Sequence, residues 1–132
     1  IYNNPEIQDK ANKFSYDFKR QLGAKHNALH FFYPENGFIS WHTNENAPGR
    51  NLILSYSLDG LGFFRYVDPE TGIMHTIQDD VGWNAKLGKF GNEPGTKVWH
   101  CARNYAPRIT ISYIIEDKAM WDDLKEELED TN

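Results

Sequence analysis

The chain has 132 residues, a net charge of −5 and an aromatic content of 14%. This length suits a single domain, 1–132, with enough apolar side chains for a core. The negative balance and the lack of a basic run disfavour general binding to nucleic-acid backbones. The apolar runs are too short to cross a membrane. Cys101 is the one cysteine, which excludes an intrachain disulfide, and we therefore expect a cytoplasmic protein.

The first segment of the chain has the pattern of an amphipathic helix. Apolar side chains recur at three- to four-residue spacing between Ala11 and Leu22. Pro5 suits the first turn of a helix, and Gly23 is typical of a helix end. The pattern therefore predicts a helix over residues 5–22.

Beyond residue 27, short runs of aromatic and β-branched residues alternate with turn-forming segments. Clear turns stand at 34–37, 68–72 and 91–95, each containing proline and glycine. The pattern predicts eight strands and a short final helix. The strands cover 28–33, 38–43, 51–57, 62–67, 73–78, 86–90, 97–102 and 108–115, and the helix covers 118–128. This arrangement indicates a mostly β sandwich or barrel.

Two histidines and an arginine lie within or at the ends of predicted strands. His42 is near the end of the second strand, His100 is in the seventh, and Arg108 opens the eighth. Strand alternation puts Arg108, Thr110 and Ser112 on one face, with apolar residues on the other. A buried arginine is costly without an anion, and arginine grips carboxylates bidentately. This face is therefore a candidate carboxylate site.

The order of these residues resembles the Fe(II)- and 2-oxoglutarate-dependent oxygenases, in particular small members from phage and bacterial genomes. The resemblance covers about residues 30–115. It rests on Trp-His-Thr-Asn-Glu at 41–45 and on the segment 99–110, which runs from the second histidine to the arginine. It implies a double-stranded β-helix (jelly-roll or cupin-like) core with an N-terminal helix and a short C-terminal helix. It also implies Fe(II) as cofactor and 2-oxoglutarate as co-substrate.

The resemblance implies a role for each matching residue. His42 and His100 would be the iron ligands and thus the catalytic residues. Arg108 would bind the distal carboxylate of 2-oxoglutarate, with help from Thr110 or Ser112. Neutral imidazoles suit Fe(II), and two histidines with one carboxylate leave open positions for co-substrate and oxygen.

The third ligand departs from the family's pattern. The family has a carboxylate two residues after the first histidine, and this chain has Asn44 there. The adjacent Glu45 is the alternative ligand, provided that the strand ends early and the loop turns it inward. Tyr56 and Tyr66, on the third and fourth strands, are further candidates for hydrogen bonds to the co-substrate.

Some of these residues also have ordinary structural interpretations. Arg108 would pair with Glu116 or Asp117 if it were only a charge at the edge of a strand. The pair at 79–80, Asp-Asp, is either an extra metal ligand or a substrate contact, and Trp83 is a candidate for the mouth of a pocket.

Two classes of function follow. The first is an Fe(II)- and 2-oxoglutarate-dependent dioxygenase that hydroxylates an unidentified substrate. A protein side chain such as proline, or a metabolite, is favoured over a nucleic acid. The second is a non-catalytic jelly-roll domain that binds a metal or a small carboxylate. Asn44, in place of the expected carboxylate, is the main support for the second class.

Overall fold

The computed structural model describes residues 27–44 and 48–130, so the predicted helix over 5–22 and Glu45 lie outside the described residues. The described part contains eight strands and one helix, α1. They are β1 (Asn27–Tyr33), β2 (Phe38–His42), β3 (Gly49–Ser57), β4 (Phe63–Val67), β5 (Met74–Gln78), β6 (Gly82–Phe90), β7 (His100–Arg103), β8 (Arg108–Ile114) and α1 (Lys118–Asp130). The prediction of a mostly β chain with a short C-terminal helix is confirmed.

Two strands begin more than two residues away from their predicted start. β6 begins at Gly82, because its whole length pairs with β3 from Ser57 opposite Gly82 to Gly49 opposite Phe90. Gly82, Asn84 and Ala85 have low strand propensity, so the sequence did not predict the start of this strand. β7 begins only at His100, although the Trp99 carbonyl already accepts a backbone hydrogen bond from β4.

The strands form two antiparallel four-stranded sheets. Sheet A has the order β1-β8-β3-β6, and sheet B has the order β2-β7-β4-β5. Apart from the β4–β5 hairpin, successive strands alternate between the sheets. The sheets contact each other through side chains. The Lys86 Nζ of β6 lies 5.7 Å from the centre of the Phe64 ring of β4, and the Phe90 ring of β6 lies 5.0 Å from the His100 ring of β7.

The apolar core lies on the outer face of sheet A. Leu52 of β3 and Ile111 and Tyr113 of β8 pack there with Ile115 and with Trp121 of α1. The alternate positions of the same strands face the opposite way, and most of them are buried and polar: Asn51, Ser55, Ser57, Arg108, Thr110 and Ser112, with Ile53 and Ile114 as the apolar exceptions. Burial of polar groups is unfavourable unless they are hydrogen-bonded. A polar interior of this kind is typical of a ligand site rather than of a packed core.

The final helix is held in place at its start and by its apolar face. The Asp117 carboxylate accepts hydrogen bonds from the backbone N–H groups of Ala119 and Met120, which is an N-terminal cap. Trp121 is buried against sheet A, and Leu124 packs beside it. No helix in the described residues is both long and apolar enough to cross a membrane.

Candidate functional site

The two histidines singled out in the sequence are direct neighbours. His42 of β2 lies opposite His100 of β7 in the antiparallel ladder. The centres of their rings are 4.3 Å apart, and the ring planes are tilted by 55°. Two side chains opposite each other in adjacent strands share one face of a sheet. This register brings together two imidazoles that are far apart in the sequence.

Both imidazoles have the same hydrogen-bonding arrangement. The Nδ1 of His42 lies 2.6 Å from the carbonyl oxygen of Ser40, and the Nδ1 of His100 lies 2.8 Å from that of Val98. Because a carbonyl oxygen can only accept, each Nδ1 carries a proton, and in a neutral ring this leaves the lone pair on Nε2. Metal-ligating histidines are commonly oriented by such a bond from the other ring nitrogen.

His100 is also held in its neutral form. Its pKa is lowered to about 4, chiefly by burial; the hydrogen bond to Val98 opposes the shift, and the nearby His42 adds to it. The Phe64 ring lies 5.5 Å away and the Phe90 ring 5.0 Å away, which accounts for the apolar surroundings. Neutral imidazole is the form that binds a divalent transition metal.

A small cavity, about 60 Å³ in volume, runs inward from the histidine pair. We call it the histidine cavity. Six of the predicted site residues line it together: His42, Asn44, His100, Arg108, Thr110 and Ser112. The histidine pair comes from sheet B, and the arginine with its two hydroxyls comes from sheet A. The cavity therefore has a potential metal-binding end and a potential anion-binding end.

The tyrosine that lines this cavity is Tyr33, at the end of β1 opposite Arg108. Tyr56 does not reach it. That side chain is exposed on the outer face of β3, where it packs edge-on against Trp83 at 5.2 Å. Tyr66 lines a separate, larger cavity and stacks on His75. Strand alternation explains why Tyr56 faces outward, because its neighbours Ser55 and Ser57 occupy the inward positions of β3.

Arg108 has a partner that sequence spacing did not identify. Its Nη2 lies 3.4 Å from Asp79 Oδ1 and 3.3 Å from Ser55 Oγ, and both charged side chains are buried. The alternative pairing with Glu116 or Asp117 is wrong, because those residues follow the far end of β8. The carbonyl of Glu116 instead accepts a hydrogen bond from Arg50.

Lys86 is a site residue that the sequence did not single out. It occupies an inward position of β6 opposite Ile53, and its side chain is only 8% exposed. Its Nζ lies 3.9 Å from Asp79 Oδ1. The pKa of Lys86 is lowered to about 8, chiefly by burial and in addition by Arg108, while Asp79 opposes the shift. The sequence signal that could have identified Lys86 is its place at an inward-facing position of a strand with alternating faces.

The charges at the deep end of the histidine cavity do not balance. Two buried cations, Lys86 and Arg108, share the single carboxylate of Asp79. Within the described part of the chain, Lys86 Nζ, Arg108 Nε and Asp79 Oδ2 have no hydrogen-bond partner. Buried charges are stable only when they are paired and hydrogen-bonded. An excess of buried positive charge with free donors favours an anionic ligand.

The metal-binding end offers two imidazoles and an amide. In the residues that the structure describes, no group of three or more histidine, cysteine, aspartate or glutamate side chains could hold a metal ion. Asn44, which supplies an amide oxygen, lines the cavity beside both histidines, whereas Glu45 is outside the described residues.

Comparisons of the chain with protein-family models, curated proteins and solved structures found no match.

Proposed function

We propose that the chain is an Fe(II)- and 2-oxoglutarate-dependent oxygenase domain. The observation that carries the proposal is the histidine cavity. Two imidazoles, each with its Nδ1 hydrogen-bonded to a backbone carbonyl, and a buried arginine with two hydroxyls line one small space between two sheets. This combination suits a metal ion that chelates a dicarboxylate whose far end meets a cation.

The strand order supports the finer fold that this function requires. Eight strands in two sheets, with successive strands alternating between them, are what a jelly-roll or double-stranded β-helix needs. In such an arrangement β2 and β7 are neighbours in one sheet, while β8 lies in the other. The histidine pair and Arg108 then face each other although they belong to different sheets.

The donor set fits an iron site in part. Two imidazoles bound side by side to one ion have ring centres roughly 4.5 Å apart, given metal–nitrogen bonds of about 2.1 Å. The observed 4.3 Å agrees with this separation. His42 and His100 would hold the metal through Nε2, and Asn44 or Glu45 would complete the set. When bound, Fe(II) together with 2-oxoglutarate would activate dioxygen, so that one oxygen atom hydroxylates a C–H bond of the substrate and the other enters succinate, with release of carbon dioxide.

The protein's own residues bind and orient the co-substrate. Arg108 would bind the distal carboxylate, and Thr110 and Ser112 on the same strand face would add hydrogen bonds. The contact between Arg108 Nη2 and Asp79 Oδ1 is long, at 3.4 Å, and Arg108 Nε has no hydrogen-bond partner among the described residues. The guanidinium therefore has N–H groups available for a ligand carboxylate. The side chains of Ile39 and Phe64 line the same cavity and exclude water from the metal-binding end.

A second candidate function is a binding domain without turnover. Two observations favour it: the amide of Asn44 beside the histidines, and the carboxylate of Asp79 already at Arg108. A neutral amide is a weaker ligand for Fe(II) than a carboxylate. Such a domain would bind a metal or a small carboxylate in the same cavity.

One experiment separates the two functions. The protein is incubated aerobically with Fe(II) and 2-oxoglutarate, and succinate is measured against His100→Ala and against His75→Ala, which changes an exposed histidine. The oxygenase forms succinate, loses this activity in His100→Ala and keeps it in His75→Ala. Binding of Co(II) or 2-oxoglutarate with no succinate above the His100→Ala background indicates the binding domain instead.

A further inference from the structure

A second cavity lies between β4 and β6. It has a volume of about 390 Å³, which is within the usual range for small-molecule sites. Its walls are mainly apolar and aromatic, and they include Phe64, Tyr66, Ile77, Phe90 and Val98. The dimensions and lining suit a compact apolar molecule rather than an extended polymer segment.

This larger cavity adjoins the histidine cavity. Ile53, Phe64 and Lys86 line both spaces. The Phe64 and Phe90 rings of the larger cavity also lie against the His100 ring, at 5.5 and 5.0 Å. The two cavities therefore share part of their walls, and a molecule in the larger cavity would lie beside residues that surround the histidine pair.

Lys86 gives the larger cavity its buried charge. The lysine side chain is almost fully buried, and its Nζ has no hydrogen-bond partner among the described residues. Asp79 Oδ1, at 3.9 Å, is shared with Arg108 and neutralises Lys86 only in part. The larger cavity is also lined by a second lysine, Lys89, and by two acidic residues, Asp68 and Glu70. Asp68 Oδ1 accepts hydrogen bonds from backbone N–H groups of its own turn.

We propose that the larger cavity binds the molecule to be oxidised, and that this substrate is a small carboxylic acid with an apolar body whose carboxylate pairs with Lys86. The identification of the bound acid as the substrate rests on the proposed function, whereas the acid site itself does not. The apolar walls bind the hydrocarbon part, and Lys86 selects acids over neutral analogues. A free metabolite is thus favoured over a protein side chain.

The test uses 3-phenylpropionate as the probe and 3-phenylpropionamide as its neutral counterpart. Binding to the metal-free protein is measured by titration calorimetry. We expect the acid to bind about tenfold more tightly than the amide, a difference of about 1.4 kcal/mol, because only the acid forms a charge-assisted hydrogen bond with Lys86. Lys86→Met removes this preference and Lys86→Arg keeps it. Lys118→Met, on an exposed lysine of α1, leaves it unchanged.

Equal binding of acid and amide, no saturable binding of the acid, or an unchanged preference in a folded Lys86→Met protein would each overturn the inference. Tighter binding of a proline-containing decapeptide than of the acid would also overturn it. Neither metal nor 2-oxoglutarate takes part in this titration. Failure here therefore leaves the succinate assay as an independent test of the proposed function, and failure there leaves the acid site intact.

Discussion

Arg108 and Asp79 form a buried ion pair between the two sheets, with 3.4 Å between Nη2 and Oδ1. The pair depends on a close approach of the chain to Gly62. The backbone N–H of Asp79 donates to the Gly62 carbonyl, and a Cβ at position 62 would lie 2.7 Å from Asp79 Oδ2. The glycine therefore lets the carboxylate reach the space between the sheets. The resident carboxylate and an incoming anionic ligand would share the same guanidinium.

Replacement of Asp79 tests this sharing. Asp79→Asn leaves Arg108 and Lys86 buried without a counter-charge, so we expect it to lower the free energy of unfolding by about 3 kcal/mol. We also expect 2-oxoglutarate to raise the melting temperature more in the variant than in the wild type, because the added carboxylate replaces the lost one. Urea unfolding and thermal melts measure both effects. Asp80→Asn, at the exposed neighbouring position, is the matched control.

Asn44 offers a direct test of the metal-binding end. Asn44→Asp introduces an anionic oxygen ligand beside His42 and His100, so the affinity for Fe(II) or Co(II) should rise about tenfold. Anaerobic titration with Co(II), followed by its visible absorption, measures the change. Asn92→Asp makes the same substitution at an exposed turn and should have no effect. An unchanged affinity in Asn44→Asp would argue against a metal between the two histidines.

The charge of Lys86 gives the protein a specific pH dependence. Its pKa is about 8 in the folded protein, against 10.5 for a free lysine side chain. Below pH 8 the lysine is charged in both states, and the full cost of burying that charge is present. Between pH 8 and 10.5 the unfolded chain binds more protons than the folded protein, so folding stability rises with pH. The effect is about 3 kcal/mol at most.

Lys86→Met removes this titrating group. Denaturant unfolding of both proteins at pH 7 to 10.5 should give a stability difference that changes in favour of the wild type as the pH rises through 8. Tyr33 and Cys101, whose pKa values are raised by burial, titrate in both proteins and cancel in the comparison. A difference that stays constant over this range would contradict a buried, charged Lys86.

The location of the apolar core predicts unequal effects at two tryptophans. Trp121 is buried between α1 and sheet A, whereas Trp83 is 54% exposed on β6. Trp121→Ala should lower the free energy of unfolding by about 3–5 kcal/mol, because it leaves a large cavity in the core. Trp83→Ala should cost less than about 1.5 kcal/mol, mainly its contact with Tyr56. Urea denaturation followed by far-ultraviolet circular dichroism measures both.

The sequence alone determined most of the strand pattern. Turn-forming segments and alternating apolar residues located all eight strands and α1, because both signals are local. Alternation along β8 also separated its polar face from its apolar face. Arg108, Thr110 and Ser112 line the histidine cavity, whereas Ile111 and Tyr113 pack in the apolar core. The start of β6 was not predicted, because it forms through pairing with β3 although its own residues have weak strand propensity.

Only the tertiary structure decided which side chains meet. The ladder between β2 and β7 places His42 beside His100. The packing of the two sheets against each other places Asp79 and Lys86 beside Arg108. These residues are separated by long stretches of sequence, and local patterns carry no record of which strands become neighbours. Arg108 therefore pairs with Asp79 and not with Glu116 or Asp117, the alternative that the sequence left open. The charge imbalance that favours an anionic ligand arises from this long-range packing.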